Sequence, residues 1–374
     1  MKPDVIVFFD PTRQAWVMVS RPAYLEYVLN AEQYEYIKTI FLFNQKISGP
    51  LIELLNALKI KTNNKTAREI FILRKKGETE ILKASWAITN DCPYHCKICI
   101  MRGIVEPEMT TTQKIKALQK LVKLGCVWLQ LTGGEPTATK DFCEIYERAY
   151  NLGFLIKIQT NGFYLPLNTR LKQLIQEKPP YQVTLSMYGA SARTYNNYTG
   201  ISGSYAYFLA SLEILRSLRI NVHINIIVTK ENEHEAGAMI NLCKQFGFGW
   251  FISGGIDPTF SGNSSPLQHS VTCPETIQAL NGPPTTTNNT EQGCNAGKHF
   301  VHITSSGQVF PCQAARIMCE GFNIFSLFIK HILKKQTKVI NQQPTQCTGC
   351  TCSICNPLRL LYFQAGLKPK GCNL

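Results

Sequence analysis

Strand-like and helix-like segments alternate between residues 85 and 253, and this alternation predicts an α/β fold built on a parallel sheet. Two local features agree with it. Cys92, Cys96 and Cys99 directly follow one strand-like run, and Gly133-Gly134-Glu135-Pro136 directly follows the next. In βα-repeat folds ligands sit at the carboxyl ends of strands.

Taken in order, residues 5–9 and 15–20 read as two short strands around a turn at 10–14, and they are the candidate edges of their sheet. Residues 31–43 read as a helix. Ser48-Gly49-Pro50 starts another, with Ser48 as cap and Leu51, Leu54, Leu55 and Leu58 on one face. Residues 1–65 therefore form a small winged-helix-like α+β domain. Residues 66–84 are a linker, in which 69–73 and 79–87 form a hairpin or bridging strand pair around Lys76-Gly77. The main unit covers 85–256. Its strands are expected at 85–89, 127–132, 154–160, 182–187, 221–229 and 248–253, and its helices at 112–124, 141–152, 169–177, 205–218 and 233–246. Residues 257–293, rich in Ser, Thr, Asn, Pro and Gly, read as a linker loop. A Cys-rich segment, 294–374, ends the chain; in it 301–304 and 309–310 look like a hairpin.

The chain has 374 residues, 44% of them hydrophobic, with a formal charge of +14. No run reaches the roughly 18 apolar residues of a membrane helix. The apolar stretch at 5–9 meets Asp10-Pro11-Thr12-Arg13 at once, unlike a signal peptide. A cytoplasmic protein with no membrane partner is expected. Fifteen cysteines in such a chain argue for metal, not disulfides. Lys and Arg are scattered, so the basic charge reads as a solvated surface; nucleic acid is not expected as a partner.

Cys92, Cys96 and Cys99 follow the spacing C-x3-C-x2-C, three thiols within eight residues. Thiolates select zinc, copper(I) or iron–sulfur centres. Structural zinc takes four protein ligands. Three cysteines without a near fourth suggest a [4Fe–4S] cube with one open iron, with half a zinc site as the alternative. The glycines allow backbone to approach a ligand closely, and Glu135 offers a carboxylate suited to an amino group.

With Thr160-Asn161-Gly162, residues 183–189 (VTLSMYG) and residues 225–230 (NIIVTK), these motifs resemble the radical S-adenosylmethionine (SAM) superfamily over about 90–260. The resemblance implies a partial (β/α)6 barrel. It implies that the cluster on Cys92, Cys96 and Cys99 chelates SAM, that Gly133, Gly134 and Glu135 hold its amino group, and that Asn161 and Ser186 are candidate ribose or carboxylate ligands. Arg193 is a basic candidate for the SAM carboxylate. Ile98 stands where the family often has an aromatic residue. The 294–374 segment resembles the SPASM extension, which binds two auxiliary [4Fe–4S] clusters. That likeness gives Cys294, Cys312 and Cys355, with Cys273, to the first, and Cys347, Cys350, Cys352 and Cys372 to the second. The run from Cys347 to Cys355 is shorter than the family's, and a structural zinc knot is the alternative. Cys126, Cys143, Cys243 and Cys319 are read as small buried hydrophobes.

Residues 1–65 resemble the RiPP recognition element, the winged-helix domain that binds leader peptides of ribosomally made, modified natural products; an extension that packs on the barrel is the other reading. The resemblances together imply an iron–sulfur enzyme that splits SAM to a 5′-deoxyadenosyl radical and modifies a precursor peptide with a leader. A flavodoxin or ferredoxin would supply the electron. Thioether or carbon–carbon cross-linking is the leading outcome, and epimerisation or formylglycine formation the alternative. The rival of another class is a non-catalytic iron–sulfur or zinc winged-helix redox sensor.

Overall fold

The chain opens with β1 (Val5–Asp10), β2 (Ala15–Ser20) and β3 (Glu26–Leu29), joined as an antiparallel meander. Helix α1 (Ala31–Leu42) starts at a capping box: Asn30 Oδ1 accepts from Gln33 N–H at 2.8 Å, and Asn30 N–H donates to Gln33 Oε1 at 2.9 Å. Helix α2 (Pro50–Ala57) is capped by Gly49, not Ser48. Gly49 has φ of 62°, which favours glycine, and Pro50 fills the first helical position. Helix α3 (Ala67–Ile70) then leads into β4 (Phe71–Leu73), which lies parallel to β1.

Three sequence expectations are corrected here. Residues 69–73 do not form a hairpin with 79–87, because β4 pairs with β1 and so joins the first sheet. The strand order is β3-β2-β1-β4, so residues 5–9 and 15–20 are central and β3 and β4 are the edges. Strand β3 was missed; it is short, and Glu26, Tyr27 and Val28 are exposed, so no alternation marks it.

The computed structural model describes residues 3–62, 64–271, 296–317 and 320–326, with 329, 331 and 332. The central unit follows the expected alternation: β5 (Lys83–Thr89), α4 (Thr111–Leu124), β6 (Trp128–Gly133), α5 (Phe142–Asn151), β7 (Leu155–Thr160), α6 (Thr169–Glu177), β8 (Gln182–Met187), α7 (Ala192–Thr199), α8 (Ser204–Ser217), β9 (Val222–Ile227), α9 (Ala236–Phe246) and β10 (Gly249–Ser253). Neighbours from β5 to β10 are all parallel. Beyond the linker, β11 (Phe300–Ile303) returns parallel to β5, and β12 (Gln308–Phe310) and β13 (Phe322–Asn323) add antiparallel. The result is one mixed sheet of nine strands, consistent with a partial barrel.

Period-two alternation gives the sheet two different faces. Trp86, Leu131, Ile158, Leu185 and Ile224 pack with helix residues such as Leu118, Tyr146 and Phe208 in one core. Between them, Ser85, Gln130, Lys157, Gln159, Thr184 and Asn225 fall on the other face. That face is polar, as expected of a chamber rather than a packed interior.

The N-terminal sheet covers the amino ends of the central strands. Ile6, Phe8, Val17 and Val19 pack against Leu82, Val127 and Leu155. Two buried arginines lock the contact. Arg21 Nη2 donates to the Tyr150 carbonyl at 2.8 Å. Arg74 is 5% exposed and donates to the carbonyls of Cys126 at 2.6 Å and of Leu152 and Gly153 at 3.2 Å each. Burial lowers its pKa to about 10, so it remains charged at neutral pH. Arg74→Met leaves these carbonyls buried without a donor. We expect a loss of about 3 kcal/mol, read as a lower denaturant midpoint, and only partial recovery by Arg74→Lys, which lacks the planar fork. An unchanged midpoint would show that the arginine does not lock the contact.

Candidate functional site

The Cys loop leaves β5 and is tied down from several sides. Glu108 accepts from Thr89 Oγ1 at 2.8 Å and from Asn90 N–H at 2.6 Å, which closes the loop at its base. His95 N–H donates to the Thr199 carbonyl at the end of α7, at 2.7 Å. Ile100 accepts from Phe260 N–H at 2.9 Å. Inside the loop, Cys99 N–H reaches the Cys96 carbonyl and Arg102 N–H the Cys99 carbonyl, both at 3.2 Å. Cys96 is buried and Cys92 and Cys99 half-buried; none is in a disulfide.

Burial pushes the Cys92 thiol up to about 12 and raises those of Cys96 and Cys99. Thiols in so dry a place ionise when a metal centre supplies the compensating charge. Cys92 Sγ also accepts from Tyr94 N–H at 3.4 Å and Asn161 Nδ2 at 3.7 Å, the kind of donors that stabilise a ligating sulfur. Among the described residues, no three His, Cys, Asp or Glu side chains converge to hold a single metal ion. Three cysteine thiols with N–H donors directed at a sulfur are the donor chemistry that a [4Fe–4S] cluster takes.

Gly133 and Gly134 are required by the backbone beside them. A Cβ on Gly133, at φ of 142°, would lie 2.1 Å from the Thr89 carbonyl oxygen. One on Gly134 would lie 2.4 Å from that of Asp91 and 2.5 Å from that of Asn90. Gly134 N–H donates to Thr89 O at 2.9 Å, and Glu135 N–H to Asp91 O at 2.7 Å. The Gly-Gly-Glu turn is thus stitched to the start of the Cys loop.

Glu135 ties the Gly-Gly turn to the neighbouring strand. It is 0% exposed. Its carboxylate accepts from Thr160 Oγ1 at 2.6 Å, Asn161 N–H at 2.7 Å, Thr137 N–H at 3.0 Å and the Thr137 hydroxyl. Its oxygens are engaged in clasping the end of β6 to the end of β7.

Asn161 lies beside Cys92, and its Oδ1 accepts from Phe163 N–H at 2.9 Å. Ser186 is half-buried at the end of β8, in register with Asn225 of β9. Arg193 is exposed on α7 and lines an open surface groove with Asn196, Asn197 and Ser202. Ile98 packs half-buried against the core. Cys126 and Cys243 are buried, as expected of apolar thiols, whereas Cys143 is half-buried. Cys312 lies half-buried just after β12. Cys273, Cys294, Cys319, Cys347, Cys350, Cys352, Cys355 and Cys372 lie outside the described residues.

Sequence reasoning missed an aromatic wall around Cys96. Tyr188 stacks on Tyr198 at 4.7 Å and meets Tyr195 edge-on at 5.6 Å, while Tyr94 meets Phe163 edge-on at 5.7 Å. Tyr94 within the Cys loop was the available signal. Also missed was Glu235, which accepts from Ala190 N–H at 2.6 Å and from the hydroxyls of Ser191 and Thr194 at 2.8 and 2.5 Å, anchoring the start of α7.

The Radical SAM superfamily family model matches residues 86–243, which hold both the Cys loop and the Gly-Gly-Glu turn. Residues 86–243 are a radical SAM domain. Domains of this superfamily use a [4Fe–4S] cluster and SAM, and the chain is an enzyme of that kind. It is 24% identical over 265 residues to an AdoMet-dependent heme synthase of Methanosarcina barkeri, covering 61% of this chain and 75% of that one. It is 24% identical over 253 residues to the PqqA peptide cyclase of Gluconobacter oxydans, covering 62% and 70%. Streptococcus suis SuiB bound to S-adenosylmethionine shares its fold with a TM-score of 0.63 at 12% identity, over 93% of this chain and 92% of that one. SuiB bound to precursor peptide SuiA gives 0.57 at 11% identity, over 88% of each. Among the described residues no helix is long and apolar enough to cross a membrane.

Proposed function

We propose that this radical SAM enzyme modifies a ribosomally made peptide, with Cys92, Cys96 and Cys99 holding the SAM-binding cluster. The observation that carries the reading is the stitching of the Cys loop to Gly133-Gly134-Glu135 above the polar face of a parallel sheet. The cluster and SAM would supply one-electron cleavage to a 5′-deoxyadenosyl radical. The protein's own part is placement and dryness. Gly133, Gly134 and Glu135 would hold the SAM amino group and Ser186 would lie on the nucleoside side, while Asn161 supports the Cys92 sulfur. Tyr94, Tyr188 and Tyr198 exclude water. The peptide cyclase likeness and the extension of fold similarity over nearly all of SuiB favour a peptide over a porphyrin as substrate. Cross-linking through sulfur or carbon is the favoured outcome, with epimerisation or formylglycine formation as alternatives. Auxiliary clusters on the C-terminal cysteines would accept the substrate electron; a cytoplasmic flavodoxin or ferredoxin would donate the first one.

The leader peptide would add to the first sheet at β3. This edge exposes Tyr27 and Val28, and Leu25 precedes it, exposed as well. Main-chain hydrogen bonds would give affinity and these side chains specificity. Deleting residues 1–65 is a poor test, since it also strips the apolar cover from Leu82, Val127 and Leu155. Point substitution on β3 is cleaner. With precursor candidates encoded beside the gene, Val28→Glu should weaken binding about tenfold, and wild-type affinity should fall as salt rises. Equal affinity of Val28→Glu and wild type would remove β3 as the grip.

A further inference from the structure

The polar face continues onto the strands added after the linker, where it holds a buried group that the SAM site does not use. His302 of β11 is in register with Ser85 of β5 on one side and Phe310 of β12 on the other. Ser85 is in turn opposite Gln130, and Gln130 opposite Lys157. Side chains opposite one another across a ladder share a face. Val301 and Ile303, which flank His302, pack in the helix-side core. His302 therefore projects from the same face as the polar row. It is 0% exposed, and neither ring nitrogen has a hydrogen-bond partner. Buried polar atoms without partners are rare, and each calls for a partner such as water, an ion or a ligand group.

Arg316 supplies the second half. Its Nη1 is also buried without a partner, while its Nη2 lies 3.6 Å from Glu106 Oε2. Glu106 is held by Ser305 Oγ at 3.1 Å and Ser306 Oγ at 3.2 Å. The guanidinium lies 5.0 Å from the ring of Phe260 and 5.9 Å from that of Phe310. Its charge reaches His302: burial first, and Arg316 second, lower the imidazole pKa to about 3 and keep the ring neutral.

We propose that His302 and Arg316 form a substrate subsite for an uncharged carboxamide, either a backbone amide or an Asn or Gln side chain. The proposal rests on the peptide-substrate reading for its biological ligand, but not for its test. Glu106 already offsets Arg316, and His302 is neutral, so the site has no net charge to match a buried ion. The neutral imidazole offers one N–H and one bare nitrogen, and Arg316 offers a further N–H. A carboxamide has the complementary set, with an oxygen to accept and an N–H to donate. Its planar shape suits the flat aromatic walls of Phe260 and Phe310.

The test uses anaerobically reconstituted full-length enzyme and ligand-observed NMR saturation transfer, with acetamide, acetate and ethanol as probes. Acetamide should bind saturably. Acetate and ethanol should bind at least about tenfold more weakly, because acetate has no donor and ethanol carries its donor and acceptor on one atom, without the planar spacing of an amide. His302→Leu and Arg316→Lys should each lose acetamide by a similar factor. Acetate or ethanol binding as well as acetamide overturns the subsite, and the wild-type comparison needs no variant to fold. Unchanged acetamide binding in the folded variants overturns it too. If acetamide binds as expected but no peptide is modified, the subsite stands and the peptide reading falls. If peptide is modified while acetamide fails to bind, the reverse holds.

Discussion

Gly134→Ala is expected to reduce reductive SAM cleavage by at least about a hundredfold, the scale of cost for displacing reacting groups by an ångström. The added methyl would lie 2.4 and 2.5 Å from the carbonyl oxygens of Asp91 and Asn90. Both are backbone atoms and cannot rotate away. To relieve the overlap the Cys loop must part from the turn, breaking the bonds from Gly134 N–H to Thr89 O and from Glu135 N–H to Asp91 O. The cysteines and the SAM-facing backbone then lose their common register, and Glu135 loses its hold on Asn161 and hence on the environment of Cys92. Gly237→Ala is the matched control. That glycine sits in α9, and an added methyl there would meet nothing within 4 Å. Alanine at that position should stabilise the helix by about 0.5–1 kcal/mol. The measurement is 5′-deoxyadenosine formed under reductant, with iron content measured on the same samples. Gly134→Ala turning over like wild type would mean that the stitching does not position the site.

The sequence made the central sheet legible because its signals are local. In 182–187 and 169–177 the apolar periods of two and 3.6 are complete, and β8 and α6 fall on those residues. The Cys loop and the Gly-Gly turn were found for the same reason. What stayed hidden depends on pairing across long separations. Nothing within Phe71–Leu73 tells that it will lie beside Val5–Val7, and nothing within Phe300–Ile303 tells that it will return to β5. The edges of the first sheet were therefore misassigned, and β3, largely exposed, carried no apolar pattern. Glu135 shows the same limit, because its local sequence does not tell which groups will surround it. Its partners, Thr160 and Asn161, lie 25 and 26 residues away, and they bury it. The polar row of Ser85, Gln130 and Lys157 was visible as alternation within strands, but only register shows that His302 extends it.

Every step of the proposed reaction depends on Cys92, Cys96 and Cys99 holding the cluster at which SAM is cleaved. Three thiolates are the protein's hold on a cube with an open iron. Full-length wild-type enzyme and its Cys92→Ala/Cys96→Ala/Cys99→Ala variant should be reconstituted anaerobically, reduced, and assayed together for 5′-deoxyadenosine and bound iron. Wild type should form 5′-deoxyadenosine and the variant none above background. Iron should be on the order of 8–12 atoms per wild-type chain, falling by about four in the variant as the C-terminal cysteines keep theirs. Stoichiometric zinc in that remainder would replace the auxiliary clusters by a structural knot. Wild-type turnover in the triple variant would contradict the assignment of the Cys loop and the function built on it.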